Sequence, residues 1–167
     1  MKLGDIANVG RGISTGNRAL FIMTRRQARD HELENFVRPV LNSVRDFPKS
    51  GRAVVHDHPD RQVVLIVSAR DCEQYTAVRT YLRDVVPRVS IVRTSPIAAS
   101  YTGIPRFVEN PDGLVITNSL YRVTPRHSMS TEQIRDLVAR LNAAMGRRSP
   151  AQRAERWTPR QMESLEI

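Results

Sequence analysis

The chain has 167 residues and a formal charge of +9, with a pI near 10.9, which fits one domain, or one domain with a tail, and a polyanionic partner. Arginine supplies 24 of the 26 basic residues; its planar fork suits phosphates and guanine edges, although a general bias towards arginine would raise the charge as well. The single Cys72 excludes an intramolecular disulfide and a multi-cysteine metal site, and the longest strongly apolar run, "VVLIV" at 63–67, is too short for a bilayer. With no apolar signal run in "MKLGDIA", a soluble, cytoplasmic protein without a membrane partner is expected.

In chain order, "IANVGRGIST" alternates weakly and reaches Thr15-Gly16-Asn17, a turn signature. "ALFIM" at 19–23 reads as a short strand pairing with the strand before that turn. Thr24 is positioned to cap a helix through "RRQARDHELENFVRPVL", where Leu33, Phe36, Val37 and Val40 recur at near-helical spacing and Pro39 makes the end irregular. A turn-rich stretch with the strand-like "AVV" at 53–55 leads to "VVLIV", the expected central strand. A helix from about Cys72 to Leu82 places Tyr75, Val78 and Leu82 on one face, and "RDVVPRVSIVRT" ends in a β-like run. "ITNSLYRVTP" at 116–125 alternates in part, with Ile116, Leu120 and Val123 inward. "TEQIRDLVARLNAAM" carries one apolar stripe, Ile134, Leu137, Val138, Leu141 and Met145, behind a capping-box spacing of Ser130 and Gln133. The segment 147–167 reads as a basic loop and a short C-terminal anchor bearing Trp157, Met162, Leu165 and Ile167. The whole is mixed α/β, a small sheet with flanking helices over 1–146, followed by the 147–167 segment.

Enzymatic constellations are sparse. "GRGISTG" has two glycines of a dinucleotide loop, but Thr15 stands where the third belongs, and Gly16 is not followed by the lysine of a phosphate-binding P-loop. "HDHP" at 56–59 reads as a solvated turn, and no nucleophile elbow of the form GxSxG occurs. Cys72, between Asp71 and Glu73, is expected to be inert. The glycines of 10–16 serve either a hairpin needing positive φ or a close approach to a nucleic-acid backbone between Arg11 and Arg18. In "SYTGIPRFVENPDG", Tyr101, Arg106 and Phe107 suit stacking or wedging against bases and Asn110 an adenine edge, with core anchoring by Phe107 the competing reading.

Three stretches resemble a known module: "LGDIANVGRGISTGNRALFIM", "PRFVENPDGLVITNSLYRVTP", and "IRDLVARLNAAM" with "WTPRQMESLEI", where Leu141-Asn142-Ala143 stands at a Leu-Asn-Ser position. Together they resemble the target-recognition domain that follows the catalytic domain in TaqI/Eco57I-like adenine-specific N6 DNA methyltransferases of restriction–modification systems. The resemblance implies a module that reads double-stranded DNA while a methyltransferase catalytic domain or subunit transfers methyl from S-adenosylmethionine to adenine N6. The catalytic "NPPY"-type motif does not occur in this chain, and "NPDG" at 110–113 lacks its second proline and its aromatic residue. On this reading Arg11, Arg18, Arg25 and Arg26 hold phosphates, and Asn17, Arg106, Asn110 and Asn118 approach bases. Ser14 and Arg122 complete the DNA-binding set. The alternatives are a protein-interaction module clamping a methyltransferase partner through the Trp157 segment, or a metal-dependent nuclease or hydrolase.

Overall fold

The computed structural model describes residues 1–92, 94–147 and 156–167. Most of the basic loop expected after 147 lies outside these residues. The chain is mixed α/β, with two four-stranded sheets where one had been expected. Strands β1 (Ala7–Arg11), β5 (Ile97–Ala99), β6 (Phe107–Glu109) and β8 (Tyr121–Pro125) form the first sheet, antiparallel throughout, in the order β1-β8-β5-β6. Strands β2 (Ile22–Thr24), β3 (Val37–Leu41), β4 (Gln62–Leu65) and β7 (Val115–Ile116) form the second, in the order β2-β4-β3-β7, with β7 parallel to β3. The "VVLIV" strand is internal to its sheet, as its fully apolar sequence requires.

Around these strands lie α1 (Leu3–Ile6), α2 (Arg18–Phe21), α3 (Arg25–Asp30), α4 (Ala69–Gln74), α5 (Thr76–Leu82), α6 (Thr131–Gly146) and α7 (Pro159–Glu163). The stripe of α6 is buried against the first sheet, and Ser130 and Gln133 close the reciprocal capping box at its start. Trp157, Met162 and Leu165 join that same core, so the C-terminal segment is built into the first sheet's packing. Each such buried side chain contributes about 2 kcal/mol. A second core joins β2 and β4 to α3 and α5 through Phe21, Met23, Ala28, Leu33, Val78 and Leu82. A third joins the sheets, with Leu41 and Ile116 from one and Ala98 and Val108 from the other.

Several local expectations are corrected. "ALFIM" is not a hairpin strand: Asn17 Oδ1 accepts from the Leu20 N–H and caps one turn of helix, and only then does β2 begin, pairing with β4. The helix from Thr24 stops at Asp30. Its end is a Schellman closure, with Glu32 at φ 58° and the amides of Glu32 and Leu33 donating to the carbonyls of Arg29 and Ala28. Val37 to Leu41 then form β3, where Pro39 is tolerated and β-branched residues suit the pleat. The helix expected over 72–82 starts earlier and breaks at Tyr75, whose extended backbone separates α4 from α5 and whose exposed ring meets Phe36 edge-on at 4.8 Å. "AVV" forms no strand, the bridge to Glu109 falling on Arg52 just before it, and the described residues of "RDVVPRVSIVRT" form no strand either.

Candidate nucleic-acid interface

The glycine-rich stretch is the point where the chain passes from one sheet to the other. Residues 7–11 pair with β8; Ile13 then bridges Thr117 at the end of β7. Its amide donates to the Ile116 carbonyl at 2.8 Å, and its own carbonyl accepts from the Asn118 amide at 2.8 Å. Gly12, between the two pairings, lies against the crossing strand. A Cβ there would sit 2.2 Å from the carbonyl oxygens of both Ile116 and Thr117, so only glycine fits.

The flanking glycines lie against arginines. Gly10 lies opposite Arg122 in the register, and a Cβ on it would come within 3.5 Å of Arg122 Nε. Gly16, at φ 78°, leaves space for Arg88, whose Cδ and Nε would be 2.9 Å from a Cβ there. Arg11, Gly12, Ile13, Ile91, Ile116 and Arg122 line a groove of about 410 Å³ around the end of β1. Ser14 and Asn118 are exposed beside it on the two crossing strands.

The electrostatics of this surface are one-sided. Ion pairs among the described residues join Arg25 to Asp57 (2.8 Å), Arg26 to Asp60 (3.1 Å), Arg29 to Glu34, Arg135 to Glu109 and Arg140 to Asp136. None involves Arg11, Arg18, Arg88 or Arg122, all of which are exposed. Guanidiniums free of carboxylates offer their donor forks to an anion without first breaking a pair.

The structure thus brings Arg11, Ser14, Asn118 and Arg122 together and separates the other predicted residues from them. Asn110 is 2 % exposed; its side chain donates to the Ser95 and Leu114 carbonyls and accepts from the Leu114 amide, closing the "NPDG" turn from inside, so it does not face a base. Arg106 donates to the Pro48 carbonyl, which occupies it within the fold. Phe107 is fully buried, and Tyr101 packs against Tyr121 at 4.7 Å, so this aromatic pair anchors the loop instead of stacking on bases. Asn17 is committed as the α2 cap. Arg25 and Arg26 stand on a different element, tied to the "HDHPD" turn; this gives that turn an ion-pairing role, and no group of metal-ligating residues occurs among the described residues. Trp157 is 7 % exposed within the first sheet's core, so its ring is not a surface for a partner.

Arg88 and Ile91 escaped the sequence reading. Their stretch alternates apolar residues with arginines and was read as strand-like, although Pro87 and the arginines suit an exposed loop equally well. Cys72 has its thiol pushed up, first by burial and then by the Asp71 carboxylate, which agrees with an unreactive cysteine. Asp71 itself is held below the usual carboxylate range by hydrogen bonds from the Ser68 amide and hydroxyl at the start of α4. No helix among the described residues is long and apolar enough to cross a membrane. No protein-family model matches the chain, and no curated protein matches it.

Proposed function

We propose that the chain is a DNA-binding specificity module, the target-recognition part of an adenine-specific N6 DNA methyltransferase of a restriction–modification system. It reads duplex DNA while a separate catalytic domain or subunit transfers methyl from S-adenosylmethionine to adenine N6. The observation that carries this reading is the groove at the sheet crossing, which Arg11 and Arg122, without carboxylate partners among the described residues, line together with Gly12. Arg11, Arg88 and Arg122 hold phosphates, which fixes register without sequence information; Ser14 and Asn118 are the polar groups that meet base edges. The resemblance of the three sequence stretches supplies the methyltransferase context. No step of methyl transfer falls to residues of this chain.

Selection of duplexes from a randomised pool by the purified chain at near-physiological salt tests the reading. A recurrent short site is the expected result, and uniform or absent enrichment overturns a specificity role. The phosphate assignment has its own test. The double substitution Arg11→Ala with Arg122→Ala is expected to weaken binding and to lower the slope of log affinity against log salt by about 2, since each lost phosphate contact removes about 0.9. An unchanged slope would place the contact surface elsewhere.

A further inference from the structure

Ile91 is the most exposed large apolar side chain of the described residues, at 83 %. Val92 packs on the cluster of Val40, Val64 and Val115 in the second sheet. Arg88, three residues earlier, lies over Gly16. The isoleucine is therefore presented beside the packed Val92, on the groove lined by Arg11 and Arg122. A branched apolar side chain fully in water gains by burial wherever a fitting surface exists. The charged residues that line the groove with it, Arg11 and Arg122, are both arginines without an ion pair among the described residues, so the complementary surface is anionic at its rim and apolar within. A base-pair step flanked by phosphates has that composition, whereas an acidic protein surface offers the charge without the apolar slot.

We infer that Ile91 is a wedge that enters between adjacent base pairs of a bound duplex, unstacking them, while Arg11, Arg88 and Arg122 hold the phosphates on either side. Proteins that insert apolar side chains in this way kink the duplex and gain contact area in return. The inference rests on the DNA-binding reading above and adds to it the mode of engagement: the module deforms its site, so part of its preference comes from how readily a step unstacks, with flexible pyrimidine–purine steps favoured.

A duplex that the full chain binds, carrying 2-aminopurine at successive adenine positions, reads unstacking directly. Fluorescence is expected to rise at one position when the chain binds. Ile91→Ala is expected to abolish the rise and weaken binding about tenfold, while leaving the salt slope and the melting temperature unchanged. Ile91→Leu is expected to keep both rise and affinity. A rise that survives in Ile91→Ala, or no rise with the wild-type chain bound, overturns the wedge and leaves the reading module standing. Failure of the wild-type chain to bind any duplex at low salt overturns both. If Ile91→Ala instead abolishes self-association in sedimentation and leaves DNA binding intact, the residue belongs to a contact between copies of the chain and the wedge is overturned.

Discussion

Gly10 lies in β1 and Gly12 just past its end, and the structure asks different things of them. At Gly12 the missing Cβ is a condition of the fold, because two backbone carbonyls occupy the space it would fill and neither can move without unpairing Ile13 from Thr117. At Gly10 the nearest atoms, 3.5 Å away, belong to the flexible side chain of Arg122. Gly12→Ala is therefore expected to cost about 3 kcal/mol or more, the upper range for overpacking a site that cannot relax. Gly10→Ala should stay within about 1 kcal/mol of wild type. Urea midpoints of the two variants check this, and equal midpoints would mean that the strand crossing is not tight. The sequence could show that glycines cluster here but not which does what, because the atoms that exclude a side chain at Gly12 belong to Ile116 and Thr117, distant in the chain. The same holds for Asn110. Its type suits an adenine edge, and only the placement of Ser95 and Leu114 shows that its donors and acceptor are already used.

Among the elements, α6 was legible because its determinants are local: one apolar stripe and a cap three residues before its partner. The segment 25–41 was not, since Leu33, Phe36, Val37 and Val40 satisfy a helical period while the last two belong to a strand that β4 and β7 enclose. Pro39 was the residue that could have settled it, as its ring is incompatible with a helix interior. Helix α6 also does something that its apolar stripe does not reveal. Strand β6 lies at the edge of the first sheet, and Asn142 meets that edge as a strand would: Oδ1 accepts from the Phe107 amide and Nδ2 donates to the Phe107 carbonyl, each at 2.9 Å. The next outward-facing pair, the amide and carbonyl of Glu109, is taken by Gly51 and Ala53. A covered edge does not recruit foreign strands. Asn142→Ala leaves a buried amide and carbonyl without partners, and a loss of about 2 kcal/mol is expected. Amide hydrogen exchange at Phe107 should quicken more than at Val108, whose bonds run to β5; equal acceleration would mean that the helix, and not the asparagine, protects the edge.

Across the whole molecule, the sequence reading found the α/β class but merged two sheets into one, because no short stretch records that β1 and β8 pair while the residues following β1 and preceding β8 cross to the other sheet. The putting-together of the ends was likewise hidden. Residues 157–167 had the look of an appended anchor, yet they complete the first sheet's core and bind the chain's start. Leu3 donates to the Leu165 carbonyl at 2.8 Å, Ile167 to that of Met1 at 3.0 Å, and the Glu163 carboxylate accepts from the Val9 amide at 3.0 Å. Tyr121 Oη donates to the Trp157 carbonyl at 2.9 Å from beneath. Deleting residues 157–167 removes three large buried side chains, a loss of about 6 kcal/mol by burial alone, which is comparable to the entire stability of a domain this size. The truncated chain is expected to lose its cooperative thermal transition and near-ultraviolet dichroism and to bind a hydrophobic dye, the signs of a core without fixed packing. A truncated chain that still melts cooperatively would show that the first sheet and α6 hold without the C-terminal segment. That outcome would make the segment an accessory of the fold, and it would free Tyr101 and Tyr121, which now lie beneath it, for contact with a partner.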